Sequence, residues 1–182
     1  LGLFLICQGC SNQRFKPEKI SISPADTDYR KVDYDSAIFS IDRNLDSNWT
    51  FNEEVLNDSE FINIYEHGRV YKEEAIKFVM QKERTAQQLK ICILTMQDLA
   101  LDSYLDFCDA VVEVFDRGGL PEYCLKTIIF PNFLKKHAII KNYDNRRVIG
   151  LLNRIRNNKS ISTGFRDNIA NILSGRTLGD LK

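Results

Sequence analysis

Apolar residues recur every three or four positions over most of this chain, and that spacing constrains the fold more than any other feature. In one stretch Leu89, Cys92 and Met96 would lie on a single face of an α-helix. Such a face must be buried against another element, so a chain that repeats it many times is expected to pack helix on helix. The sequence therefore predicts an all-α domain.

Capping residues divide the pattern into separate helices. Thr85, followed three residues later by Gln88, has the spacing of a capping box at a helix start. The run Gly118-Gly119-Leu120-Pro121 combines residues that end one helix with one that suits the start of the next. Further helix starts are predicted at Asp35 or Ser36, Asp58 or Ser59, Asp102, Asp144 and Thr163, and helix ends at Gly68 and Gly175.

The helices are predicted to form an irregular antiparallel bundle, because the breaks between them are short. The stronger helices also fall into pairs, at about 70–99, 102–130 and 145–174, so a repeat-like stack of helix pairs is the alternative arrangement. Residues 19–23 alternate like a short strand, but one run cannot form a sheet.

The N-terminal residues differ from the rest. The apolar run Leu1-Gly2-Leu3-Phe4-Leu5-Ile6 leads into Cys7-Gln8-Gly9-Cys10, and residues 11–29 are mostly polar with two prolines. The Gly9-Cys10 step resembles the end of a bacterial lipoprotein signal peptide, in which the cysteine after a small residue is lipidated. Cys7 departs from that pattern, since the family usually has Leu there. The alternative is a buried N-terminal element with two incidental cysteines.

This resemblance implies three parts: a signal-peptide remnant (1–9), a lipidated tether (10–29) and a single helical domain (30–182). It also implies a lipid anchor at Cys10 in the bacterial cell envelope, facing the periplasm. Ser11, directly after the cysteine, favours the outer membrane over the inner one in that family. The apolar run itself is too short to span a bilayer, which takes about 20 residues.

Charge is distributed unevenly along a chain in which 25 basic and 25 acidic residues cancel. The balance gives no electrostatic reason to expect nucleic-acid binding. Residues 26–66, the acidic segment, contain eleven acidic and three basic side chains, whereas residues 135–182 contain eleven basic and three acidic ones. Such segregation indicates either an exposed surface for a partner or neutralisation of the two segments within the fold.

We expect the acidic segment to bind a protein partner that presents a basic face. Four residues represent this surface: Asp42, Asp46, Glu53 and Glu54. In the alternative, the segment pairs inside the fold with the basic helix, at Arg146, Arg147, Arg154 and Arg156. A second acidic set has helical spacing and is interpreted mainly as a solvated face, with a partner-binding edge as the alternative: Asp98, Asp102, Asp106 and Asp109.

The sequence offers few groups for catalysis or metal binding. Its two histidines, His67 and His137, have no helical partner at the spacing that a zinc site needs. No glycine-rich phosphate loop is present, and adjacent carboxylates such as Glu73 and Glu74 point about 100° apart on a helix. We therefore expect no metal, no cofactor and no enzymatic activity.

Three cysteines, Cys92, Cys108 and Cys124, lie on apolar helix faces, where buried free thiols are expected. A disulfide is the alternative in an oxidising envelope. A chain reversal near Ala100 would bring Cys92 and Cys108 level in an antiparallel hairpin, although helix axes about 8–10 Å apart only sometimes allow such a bridge.

Together these features predict a non-enzymatic envelope lipoprotein that binds another protein. An immunity or inhibitor protein that neutralises a toxin acting in the periplasm is the first expectation, because a stoichiometric blocker needs only one complementary surface. The alternative is a structural or accessory lipoprotein of an envelope assembly or secretion machine.

Overall fold

The computed structural model describes residues 31–45, 55, 57–129 and 146–175. The described residues form eight α-helices and no strand, which confirms the predicted all-α class. The proposed leader and tether, residues 19–23 and the cap at Asp144 lie outside these residues. The helices are α1 (Tyr34–Asn44), α2 (Ser59–Glu66), α3 (Gly68–Met80), α4 (Ala86–Thr95), α5 (Leu101–Asp116), α6 (Glu122–Ile129), α7 (Arg146–Asn157) and α8 (Thr163–Leu173).

Two predicted helix starts are confirmed by their hydrogen bonds. At α4 the backbone N–H of Gln88 donates to the Thr85 hydroxyl over 3.2 Å, and the backbone N–H of Thr85 donates to the Gln88 side chain over 3.1 Å, which completes the capping box. Asp58 caps α2 by accepting from two backbone N–H groups. Gly118 and Gly175 follow α5 and α8 with φ of 74°, a conformation that suits glycine at a helix end.

Other predicted boundaries are wrong by one or two residues. The cap of α1 is Asp33 rather than Asp35 or Ser36, because the Asp33 carboxylate accepts from the backbone N–H of Ser36. The cap of α8 is Ser162 rather than Thr163.

Two further boundaries are wrong for a different reason. Helix α5 begins at Leu101 with Ala100 in the cap position and no side-chain cap, so Asp102 lies in its first turn. Gly68 begins α3 instead of ending α2. Its small size fits this place, since a Cβ there would lie 3.4 Å from the backbone oxygen of Thr95.

The helices contact one another in the order expected for stacked helix pairs. The predicted irregular bundle is not confirmed. Each consecutive pair packs together, as α1 with α2, α3 with α4, α5 with α6 and α7 with α8. First helices also pack on first helices, from α1 to α3 to α5 to α7, and second helices α2, α4 and α6 do the same. The last three pairs correspond to the pairs expected at about 70–99, 102–130 and 145–174.

Helix α4 lies at the centre of this arrangement. It packs against α1, α2, α3 and α6, and its residues from Gln88 to Thr95 are buried except for Lys90. All eight helices belong to one compact unit that begins at Val32. A continuous apolar core therefore runs through the stack and leaves charged side chains on its outer faces.

Candidate functional site

Asp42, the first of the predicted partner-binding residues, is half-buried on α1 and contacts α4. Its carboxylate accepts a hydrogen bond from the Gln88 side chain over 2.8 Å, and its backbone oxygen accepts one from Gln87 over 3.2 Å. Asp46, Glu53 and Glu54 lie outside the described residues. The acidic partner surface stays a prediction, and Asp42 itself holds α1 against α4.

Other residues of the acidic segment also serve the fold. Asp35 forms an ion pair with Arg84 over 2.8 Å. The Arg84 side chain is only 9% exposed, and its guanidinium lies 4.1 Å from the ring centroid of Phe78 and 4.9 Å from that of Phe39. Arg84 is thus enclosed by two aromatic rings and one carboxylate, a favourable setting for a buried cation.

The basic helix α7 pairs with α5 rather than with the described part of the acidic segment. Arg147 contacts three carboxylates of α5, at 2.8 Å from Asp106, 3.4 Å from Asp109 and 3.6 Å from Asp102. Asp106 also pairs with Lys72 of α3 over 3.2 Å. Three members of the second acidic set therefore form ion pairs between helices instead of a merely solvated face.

The fourth member, Asp98, differs because the charge of another carboxylate, Glu66, acts on it. Burial and the charge of Glu66 raise the pKa of Asp98 above its ordinary value. Burial and the charge of Asp98 likewise raise the pKa of Tyr65. Glu66 and Asp98 are both exposed.

Helix ends add to the repulsion within this acidic pair. Glu66 is the last residue of α2, and Asp98 comes three residues after Thr95, the last residue of α4. The C-terminal end of a helix carries partial negative charge, so a carboxylate there is unfavourable. Two helix ends and two carboxylates thus concentrate negative potential at one place on the surface.

An apolar side chain adjoins the acidic pair. Ile62 precedes Glu66 by one helical turn on the same face of α2 and is 37% exposed. Tyr65, half-buried beside Glu66, stacks on Phe61 at a centroid distance of 5.9 Å. We call Ile62, Tyr65, Glu66 and Asp98 the acidic patch. The sequence shows the spacing of Ile62 and Glu66, but it gives no sign that α4 ends beside them.

The three cysteines are buried free thiols. The sulfur of Cys92 accepts a hydrogen bond from the Tyr34 hydroxyl over 3.3 Å. Burial raises the pKa of Cys92 to about 12 and that of Cys124 to about 11, and it also raises the pKa of Cys108. Thiols with such pKa values are poor nucleophiles, because the reactive form is the thiolate.

Helices α4 and α5 do not pack on each other as the expected antiparallel hairpin. Helix α4 packs on α1, α2, α3 and α6, whereas α5 packs on α3, α6 and α7. The disulfide between Cys92 and Cys108 stays a prediction to which this geometry gives no support.

The part of the chain that the structure describes contains no group of three or more potential metal ligands. Among the same residues, no helix has both the length and the apolar character that crossing a membrane requires. No protein-family model matches the chain, and neither a curated protein nor a solved structure matches it.

Proposed function

We propose that this chain is a non-enzymatic envelope lipoprotein that binds another protein with a basic face. The specific form we propose is an immunity or inhibitor protein that neutralises a toxin acting in the periplasm. The observation that carries the proposal is the acidic patch, where the exposed carboxylates Glu66 and Asp98 repel each other at two helix ends.

A like-charge pair costs stability, and proteins retain such local conflicts mainly at functional sites. A lysine or arginine of a partner would remove the repulsion on binding and would accelerate association through long-range attraction. Exposed Ile62 beside the carboxylates offers apolar area that a purely solvated acidic surface lacks.

The experiment compares capture of a partner by the wild-type chain and by the variant Glu66→Gln/Asp98→Asn. A partner captured from the envelope fraction is identified, and its association with the purified chain is measured over a range of NaCl concentrations. We expect the variant to bind at least about tenfold more weakly and with a shallower salt dependence.

Asp167→Asn is the matched control, because Asp167 is an exposed carboxylate on α8, remote in sequence from the acidic patch. It should leave association unchanged. Equal binding by the wild type and the double variant would exclude the acidic patch as the binding surface.

The stack of helix pairs favours a second candidate, a structural or accessory lipoprotein of an envelope assembly or secretion machine. Stacked helix pairs present extended surfaces that can contact more than one partner. Stoichiometry distinguishes the two candidates, since an inhibitor captures one toxin in a one-to-one complex and an accessory protein captures several components of one assembly.

A further inference from the structure

Charged side chains connect α7 with α5. Besides the contacts of Arg147 with Asp102, Asp106 and Asp109, the guanidinium of Arg154 donates two hydrogen bonds to one oxygen of Asp116, over 2.7 and 3.0 Å. We call the four carboxylates Asp102, Asp106, Asp109 and Asp116 the α5 stripe. They recur at intervals of three, four and seven residues and therefore line one face of the helix.

Charged side chains also connect α8 with α6. The carboxylate of Glu122 accepts hydrogen bonds from the backbone N–H and the hydroxyl of Ser162, the residue that caps α8. The ammonium group of Lys126 lies 5.4 Å from the ring centroid of Phe165. Both helices of the last pair are thus held by ionised groups of the preceding pair.

The last pair has internal bonds of its own. The guanidinium of Arg166 on α8 donates to the backbone oxygens of Arg156, Asn158 and Ile161, which close the turn between α7 and α8. The mutual contact of α7 and α8 is also among the most extensive in the described chain. None of these bonds involves a residue of α5.

We propose that the pair α7–α8 is an electrostatic latch, which pairs with the partly exposed carboxylates of the α5 stripe and detaches from them as a unit when charge pairing is weakened. The ion pairs are partly solvated, since Arg147 and Arg154 are 46% and 44% exposed, so salt screens them. Helices α1 to α6 keep their own contacts and stay folded. Release frees the α5 stripe to pair with a basic amphipathic helix of a partner, the type of element that α7 is.

Hydrogen exchange of the full chain, followed by mass spectrometry at low and at 1 M NaCl, tests the latch. We expect backbone amides of α7 and α8 to exchange at least about tenfold faster at high salt, whereas amides of α3 to α5 change less than about twofold. Unchanged exchange in α7 and α8 would mean that apolar burial alone holds the pair. Equal acceleration in all helices would mean global loosening. Either result overturns the proposal.

Charge variants give an independent test at low salt. Arg154→Asp should release the pair, because it places a carboxylate against Asp116. The double variant Arg154→Asp/Asp116→Arg should restore most of the protection by exchanging the two charges. Lys159→Asp is the matched control, since Lys159 is an exposed residue between α7 and α8 and undergoes the same change of charge. Retained protection in Arg154→Asp, or no restoration by the charge exchange, would contradict the latch.

Discussion

At the scale of single residues, two aspartates of this chain, Asp106 and Asp98, have opposite effects on the stability of the fold. The hydrogen bond from Arg147 lowers the pKa of Asp106, and Lys72 adds to that effect. Burial and Glu66 raise the pKa of Asp98. Ionised Asp106 therefore stabilises the fold at neutral pH, whereas ionised Asp98 opposes it. The sequence presents both residues as members of one acidic set, and only their neighbours from other helices separate them.

The acidic patch leads to a prediction about stability. A carboxyl whose folded-state pKa is raised lowers stability once it ionises, and this cost disappears as pH falls through that pKa. The variant Glu66→Gln/Asp98→Asn should therefore be more stable than the wild type at pH 7, by a few tenths of a kcal/mol, roughly the strength of exposed charge interactions.

Thermal unfolding of both proteins at pH 7 and at about pH 3 measures this difference. The gain should shrink as pH falls through the raised pKa of Asp98, because protonated Asp98 no longer repels Glu66. Asp167→Asn should show no such gain at either pH. A double variant less stable than the wild type at pH 7 would mean that the two carboxylates serve the fold.

The buried cysteines provide a second prediction at this scale. Cys92, Cys108 and Cys124 should resist alkylation by iodoacetamide at pH 8 in the folded domain, because burial raises all three pKa values well above that pH. After denaturation without a reductant, all three should react, and intact-mass measurement counts the modified groups. Fewer than three reactive thiols in the denatured domain would reveal a disulfide and contradict the free-thiol structure.

At the scale of elements, local chemistry explains which helix boundaries could be predicted. Thr85 and Asp58 cap their helices through backbone groups two or three residues away, so the sequence contains all that decides them. The start of α5 has no side-chain cap, so nothing in the local sequence marks Ala100. Ion pairs between α5 and α7 join residues about forty positions apart, and no local pattern encodes them.

The attachment of α1 to the rest of the stack gives an element-scale prediction. Arg84→Ala removes the ion pair with Asp35 and the contacts with Phe39 and Phe78, and it should lower the free energy of unfolding by about 2 kcal/mol. Arg84→Lys should recover only part of this loss, because an ammonium group lacks the planar guanidinium that stacks on the rings.

Denaturant unfolding measures both variants. Lys82→Ala is the control, since Lys82 is exposed in the same connection between α3 and α4, and it should change stability by less than about 0.5 kcal/mol. An Arg84→Ala protein as stable as the control would mean that α1 is held by apolar contacts alone.

At the scale of the whole molecule, opposite charges meet at each boundary between successive helix pairs. Asp35 of the first pair binds Arg84 beside the second, Lys72 of the second binds Asp106 of the third, and Arg147 of the fourth binds Asp106 as well. Among the described residues, opposite charges thus pair between neighbouring helix pairs. Pairing of opposite charges at each boundary favours one stacking order of the helix pairs, because a different order would bring like charges together.

The last prediction concerns the whole protein, because a lipid anchor would hold the helical domain at a membrane. When the chain is produced in bacteria with a lipoprotein signal peptide ahead of Cys10, Cys10→Ala should move it from the membrane pellet to the soluble periplasmic fraction. The acyl chains that the Gly9-Cys10 pattern implies would each bury many methylene groups, at about 0.8 kcal/mol apiece, whereas a polar tether has no comparable affinity for a membrane. Cys7→Ala is the matched control and should stay in the pellet. A Cys10→Ala protein that still pellets after a high-salt wash would show that lipidation of Cys10 does not attach the chain to the membrane.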